Sequence, residues 1–296
     1  MRRRGTVRNV VEYCLAQTLL KSVQWSPMPL AAWLSRRYIA LLDLVAPRLR
    51  QAAYRNLSFA LPGADAKVTT DAVFDSLARV LLSFAKFPTM RRENISQWIR
   101  CEGIEHFEAA RRAGRGVLVA TGHLGNWELS AFAHAWLTAP MHFVVRPLDN
   151  PLLDRLIQTR RELSGNRSLG KRDSVRVILK ALAANEAVGI LIDQNWTADT
   201  GVFVDFFGKP ACSDTGFAKL AAHTGAAVVP GFALWSAEER RYVLRFYPSI
   251  PITGDAARDT AAIQSAFEAI VRAHPGEWLW IHRRWKTRPQ GESSLY

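Results

Sequence analysis

The sequence is short of the residues that would signal redox or metal chemistry. Its three cysteines, Cys14, Cys101 and Cys212, lie far apart, and no C-x-x-C occurs. Reduced thiols facing a cytosol are expected, not a zinc site or a disulfide framework. There is no H-E-x-x-H helix to bind zinc and no G-x-S-x-G elbow to present a serine nucleophile. A secretory signal is also missing: the basic start MRRRGTVR leads into no clean apolar run with a small-residue cleavage site. The longest charge-free stretch, Leu129 to Val145, contains Pro140 and two histidines. A spanning helix needs about 20 apolar residues, so attachment to a membrane surface is expected ahead of stable insertion. No internal repeat and no low-complexity segment interrupts the chain.

Acidic residues are scarce relative to basic ones, 26 against 39 Lys plus Arg, a net charge of +13 over 296 residues. That balance suits an anionic partner: nucleic acid, an anionic membrane or an acidic protein. With hydrophobic residues at 49%, a sizeable core is available and global disorder is excluded.

Helical spacing dominates the first 60 residues. Val7, Val10, Val11, Cys14, Leu15, Thr18 and Leu19 form one stripe, and a second apolar segment runs from Leu30 to Val45 between Pro27, Pro29 and Pro47. Trp25 and Trp33 beside arginines suit a membrane interface, and a helical layer packed on the rest of the protein suits the same pattern. Another helix is expected over Thr70 to Phe87. Beyond it, β-rich runs at 117–121, 142–146, 188–192, 226–235 and 242–247 alternate with helical stretches at 127–137, 151–163, 173–184, 214–223 and 258–273. The alternation predicts an α/β fold: a mixed, largely parallel central sheet flanked by helices. An amphipathic N-terminal region, residues 1–60, would precede an α/β domain over 61–296.

The most specific chemical feature is Gly122-His123-Leu124-Gly125-Asn126-Trp127-Glu128, directly after the apolar run VLVAT. It falls where a strand ends and a helix begins, the place where α/β folds hold ligands. Within one helix, residues five apart point about 140° away from each other. His123 and Glu128 therefore meet only if His123 lies in the loop and Glu128 in the first helical turn. Asn126 is a good N-cap, which would put Glu128 near the positive helix end. A histidine oriented by a carboxylate is a general base able to deprotonate a hydroxyl. His123 is the candidate base and Glu128 its candidate orienting partner; a satisfied histidine at a strand end is the plain alternative.

These seven residues resemble the H-x-x-x-x-D/E motif of the glycerolipid acyltransferase superfamily, and further blocks follow in order. His142 to Arg146 is similar to its second block, Gly189 to Gln194 takes the place of the third, and Val228-Val229-Pro230 that of the fourth. Arg146-Pro147-Leu148-Asp149-Asn150-Pro151, the stretch Gly201 to Ala211, the tail Trp280 to Pro289, and Arg55-Asn56-Leu57 with Phe59 resemble the lipid A lauroyl/myristoyl acyltransferase branch. The resemblance covers roughly residues 10 to 290. Many such relatives begin with a membrane span, whereas this N-terminus is interrupted by charges. The third block reads Asp193-Gln194 where phosphatidate-making relatives have Glu-Gly-Thr.

The resemblance implies transfer of a fatty acyl group from acyl carrier protein or acyl coenzyme A to a glycolipid hydroxyl; the absence of metal-ligand spacing predicts that no metal is needed, and no cofactor is expected. The resemblance places Arg146, Asp193, Asn126 and Gln194 in a substrate-binding pocket. Arg146 would bind an acceptor phosphate and Asp193 would orient the hydroxyl or Arg146; Asn126 is as readily a simple N-cap. Backbone donors of the Gly122–Asn126 loop would stabilise the oxyanion, and Phe203, Phe206, Phe207 and Trp127 would wall an acyl groove, core packing being the alternative for each. Lys171-Arg172 and the run His282, Arg283, Arg284, Lys286, Arg288, interleaved with Trp278, Trp280 and Trp285, would meet anionic head groups or an acidic carrier protein. No nucleic-acid fold signature accompanies them. The expected place is the cytoplasmic face of the inner membrane, peripheral or weakly inserted. Alternatives are a lysophospholipid or phosphatidylinositol mannoside acceptor, or a non-enzymatic basic protein that binds membranes.

Overall fold

A computed structural model describes residues 5–170 and 174–296; the expectation for Lys171-Arg172 lies outside them. The chain opens with four helices, α1 (Thr6–Trp25), α2 (Met28–Val45), α3 (Pro47–Ala60) and α4 (Ala66–Lys86). Proline opens α2 and α3 within their first turn, where its missing N–H costs nothing. Asp65 caps α4 by accepting the Lys67 and Val68 amides. Alternation follows: β1 (Ile99–Glu102), α5 (Ile104–Arg112), β2 (Val117–Thr121), α6 (Trp127–Leu137), β3 (Met141–Val145), α7 (Pro151–Arg161), β4 (Arg167–Gly170), α8 (Ser174–Ala183) and β5 (Ala187–Leu191). A hairpin, β6 (Gly201–Phe206) and β7 (Lys209–Asp214), precedes α9 (Gly216–Thr224), β8 (Ala227–Ser236), β9 (Arg241–Phe246) and α10 (Ala256–Ala273).

Seven strands form one sheet in the order β1-β9-β8-β2-β5-β3-β4. All neighbours are parallel except β8 and β9, which pair antiparallel, so the sheet is mixed and largely parallel as the alternation predicts. Side chains alternate across it. Val117 and Val119 join the core with α1, α4, α5 and α6; Leu118 and Ala120 join the core with α8, α9 and α10. Burial on both faces explains why β2 reads as a continuous apolar run. A third core of aromatics lies under α3, α10, the hairpin and the C-terminal segment.

The N-terminal helices serve two surfaces. Leu20, Val23 and Ala31 are buried in the core shared with α4 and the sheet. Outside, Val7, Val11 and Leu15 of the apolar stripe stand exposed, as do Trp25, Trp33, Leu41, Leu44 and Val45. Among the described residues no helix is long and apolar enough to cross a membrane.

Register positions the site. Thr121 of β2 pairs with Leu191 of β5, and the Ile192 amide donates to the Thr121 carbonyl at 2.9 Å. Two residues beyond this level stand His123, past the end of one strand, and Asp193, past the end of the other. On the far side of β5, Phe143 of β3 pairs with Gly189, which brings the end of β3 and Arg146 to the same edge.

Candidate active site

His123 lies in the loop between β2 and α6, and Glu128 in the first turn of α6, the placement that a contact between them would need. Two glycines let the loop pass close to its neighbours. A Cβ on Gly125, at φ +62°, would sit 2.0 Å from the Ala233 carbonyl oxygen; one on Gly122 would sit 2.7 Å from the Phe267 ring.

The carboxylate bound to His123 is that of Asp193, not Glu128. The His123 ring Nδ1 lies 3.0 Å from Asp193 Oδ1, and the His123 backbone N–H donates to Oδ2 at 2.8 Å. An ionised carboxylate only accepts, so Nδ1 carries the proton and Nε2 is left as the basic nitrogen. Nε2 makes no hydrogen bond with a described residue. The Trp278 indole N–H adds a second donor to Oδ2 at 3.0 Å. Asp193 is wholly buried, whereas the His123 side chain keeps 20% of its surface exposed. Burial alone would raise the Asp193 carboxyl, but the His123 imidazolium, its hydrogen bond, His282 and the Trp278 N–H together hold it below the usual carboxylate range. Burial would likewise lower His123; the charge and hydrogen bond of Asp193, helped by the charge of Glu128, outweigh it and raise the imidazole.

Glu128 instead forms a two-pronged pair with Arg161 at the end of α7, one prong of 2.8 Å from Nε. Burial opposes the Arg161 charge and Glu128 more than restores it, so its pKa is raised. No sequence signal distinguished Arg161: it lies 33 residues from Glu128 and reads as a basic residue closing a helix.

His123 and Arg161 line a cavity of about 610 Å³ at the ends of β3 and β5, with Arg146, Leu148, Gln194 and Trp196. It adjoins an apolar pocket of about 620 Å³ beneath α8 and α9, sharing Val144, Ile190, Leu191, Gln194, Trp196 and Asp214 with it. Ile178, Phe217, Leu220 and Ile263 line that pocket and not its neighbour. Arg146 and Gln194 are exposed at the rim, Gln194 where the two spaces meet.

Several sequence expectations change at this level. Asn126 is fully buried and lines neither space; it caps α6 by accepting the Leu129 amide at 2.9 Å and donates to Ser83 at 2.7 Å. The amides of His123, Gly125 and Asn126 donate to Asp193, Glu277 and Ala233, so these donors are committed and cannot face an oxyanion. Phe206 and Phe207 belong to the aromatic core, not a groove wall, and Phe203 lines neither large cavity. Trp127 edges a small apolar cavity of about 60 Å³ behind Glu128 and Arg161. Trp278, Trp280, Trp285 and Arg284 are fully buried and meet no lipid or carrier; Arg283 and Lys286 remain on the surface. The Arg284 guanidinium donates to the Cys212 carbonyl at 2.6 Å, to Ser213 and to Gln264, and burial lowers it to about 10.

Residues 4–287 match the family of bacterial lipid A biosynthesis acyltransferases. The sequence is 29% identical to the lipid A biosynthesis palmitoleoyltransferase of Escherichia coli (strain K12) over 91% of this chain and 89% of that one. Against the lipid A biosynthesis lauroyltransferase of the same strain it is 30% identical, over 84% and 83%. With the phosphatidylinositol mannoside acyltransferase of Mycobacterium tuberculosis (strain CDC 1551 / Oshkosh) it shares 31% identity over 72% of this chain and 69% of that one. The chain belongs to the bacterial lipid A biosynthesis acyltransferase family.

Proposed function

We propose that the protein transfers a fatty acyl group from an acyl thioester, on acyl carrier protein or coenzyme A, to a hydroxyl of a lipid A precursor or similar glycolipid. The observation that carries this reading is a histidine held at Nδ1 by a buried aspartate, lining a partly polar cavity that adjoins an apolar one. His123 Nε2 takes the hydroxyl proton as the oxygen attacks the thioester carbonyl. Asp193 fixes the tautomer and balances the imidazolium. The tetrahedral intermediate collapses with cleavage of the carbon–sulfur bond, and the proton on Nε2 passes to the leaving thiolate.

Glu128 acts by holding Arg161 at the cavity wall and by adding negative charge near His123. With the His123, Gly125 and Asn126 amides committed, the Arg161 guanidinium at the cavity wall supplies donors for the oxyanion. Arg146 at the rim binds an acceptor phosphate, with Gln194 beside it. The acyl chain occupies the apolar pocket, where each buried methylene contributes about 0.8 kcal/mol. The exposed apolar residues of α1 and α2 dip into an anionic membrane at the cytoplasmic face. A phosphatidylinositol mannoside acceptor is the second reading, favoured by the 31% identity to an acyltransferase named for that substrate.

The test is purified protein with an acyl thioester and a panel of acceptors, the lipid products identified by mass spectrometry. His123→Ala should lose on the order of 10²–10⁴-fold in rate, and Glu128→Ala should be severely impaired, both with unchanged circular dichroism. More than about a tenth of the rate surviving in His123→Ala would contradict a general-base role of that size.

A further inference from the structure

We infer that Trp278 is a positioning residue for acyl transfer: its indole N–H and the main chain on either side of it hold the Asp193–His123 pair in the geometry the base requires. The inference rests on the general-base reading above and deepens it. Asp193 has no exposed surface, so its orientation is set by protein donors. One oxygen, Oδ2, accepts both the His123 backbone N–H and the Trp278 indole N–H, which leaves Oδ1 aimed at the His123 ring. The main chain around Trp278 grips the same loop. The Leu279 amide donates to the His123 carbonyl at 2.9 Å, and the Gly125 amide to the Glu277 carbonyl at 3.0 Å. Trp278 itself cannot turn away, because Phe206, Phe267 and Trp280 pack edge-on against its ring.

The groups facing the pair are few. Glu128 and Arg161 lie towards the cavity, and His282 and Arg284 act on Asp193 from the C-terminal segment. The Trp278 N–H draws off part of the carboxylate charge. Without it, Asp193 stabilises the imidazolium more strongly while losing a restraint on its rotation. His123 would then keep its proton to higher pH, and less of the base would be available at neutral pH.

Trp278→Phe removes the donor. Trp280→Phe is the control: it keeps an aromatic ring against Trp278, and the N–H it removes donates to the Pro275 carbonyl at 2.8 Å and does not touch Asp193. Two measurements apply, the pH–rate profile and an NMR titration of His123, which needs no substrate. For Trp278→Phe, kcat should fall about tenfold with KM changed less than about twofold, and the acid limb and His123 titration should both move upward by about half a pH unit or more. Trp280→Phe should move neither midpoint. Midpoints unchanged in Trp278→Phe, or moved equally in both variants, would overturn the inference. If Trp278→Phe does not fold, benzothienylalanine at position 278 removes the donor while keeping the ring volume. His123→Ala separates the two levels. Activity retained there defeats the general-base reading itself, whereas an inactive His123→Ala beside a wild-type titration in Trp278→Phe defeats only the role of Trp278.

Discussion

Two stretches of this chain share one sequence character, tryptophan beside cationic side chains, and have opposite fates. On α1 and α2, Trp25 and Trp33 are 71% and 50% exposed, each with a Lys21 or Arg37 side chain over its ring. In the C-terminal segment Trp278, Trp280 and Trp285 have no exposed surface, and Arg284 is buried over Phe206. Composition does not decide between these outcomes. Partners do: the C-terminal rings find the Phe206–Phe207 hairpin and Phe267 of α10, and their N–H groups find the carbonyls of Phe206 and Pro275 and the Asp193 carboxylate, while Trp25 and Trp33 on the outer helices stay half or more open. One region is therefore a scaffold for the His123–Asp193 pair and the other a surface.

The largest expected contrast is in turnover. Asp193→Asn removes the acceptor that fixes the His123 tautomer, and by analogy with other His–carboxylate pairs the rate should fall by about 10³–10⁴-fold. Trp25→Ala with Trp33→Ala should leave turnover of a detergent-dispersed substrate within about twofold, since surface changes of this kind disturb folding by less than about 0.5 kcal/mol. Comparable losses in both proteins would erase the distinction between scaffold and surface.

Stability gives the next contrast. Trp285→Ala empties a site walled by Phe59, Phe206 and Phe207 and removes the N–H bonded to the Phe206 carbonyl, at a cost of about 3–5 kcal/mol. Urea denaturation should show the midpoint displaced accordingly, with Trp33→Ala close to wild type.

How much of this could be seen in the sequence depends on how far each feature reaches along the chain. β2, β3, β5, β8 and β9 fall within a residue of their apolar runs, because strands buried on both faces must be apolar throughout. β1 and β4 are short edge strands carrying Arg100, Glu102 and Arg167, with little hydrophobic signal. The β6–β7 hairpin turns on Phe207 and Gly208, at φ 58° and 71°; with phenylalanine at the first of these positions, it lacks the Asn-Gly type of dipeptide that marks such turns. At the site, loop placement of His123 and helical placement of Glu128 follow from the apolar run of β2 and the Asn126 cap after it. The partner of His123 does not, because it is fixed by β5 lying beside β2, a matter of sheet order 70 residues away. Local spacing pointed to Glu128; topology supplied Asp193, and Glu128 turned to Arg161.

A smaller effect, confined to the scaffold, concerns Glu277. Its carboxylate accepts the Trp235 amide at 2.9 Å, and burial pushes it up from 4.5 to about 7. An acid whose folded pKa is raised binds its proton more tightly in the folded state, so stability declines as pH rises from about 4.5 through about 7. Glu277→Gln retains an oxygen for the Trp235 amide and removes this titration. The fall in melting temperature between pH 5 and pH 8 should therefore be shallower in the variant, and an identical slope would show that Glu277 does not titrate in this window.

The smallest free-energy effect is expected on the outer surface, and only in the presence of lipid. Val7, Val11, Leu15, Trp25, Trp33 and Leu44 present apolar area with Lys21 and Arg37 among them, on a chain of net charge +13. Anionic lipid attracts each nearby cation by about 1 kcal/mol, and shallow burial of the apolar face adds to this. Salt screens the attraction over a Debye length of about 8–10 Å at near-physiological ionic strength. Protein should therefore sediment with phosphatidylglycerol vesicles at low salt, less at high salt, and less again with neutral vesicles. Trp25→Ala with Trp33→Ala should weaken sedimentation at both salt levels, because the apolar contribution is not screened. Lys21→Gln with Arg37→Gln should weaken it mainly at low salt. If neither pair changed binding to either vesicle, the exposed face of α1 and α2 would not be the membrane contact, and the contrast with the buried C-terminal tryptophans would be one of packing alone.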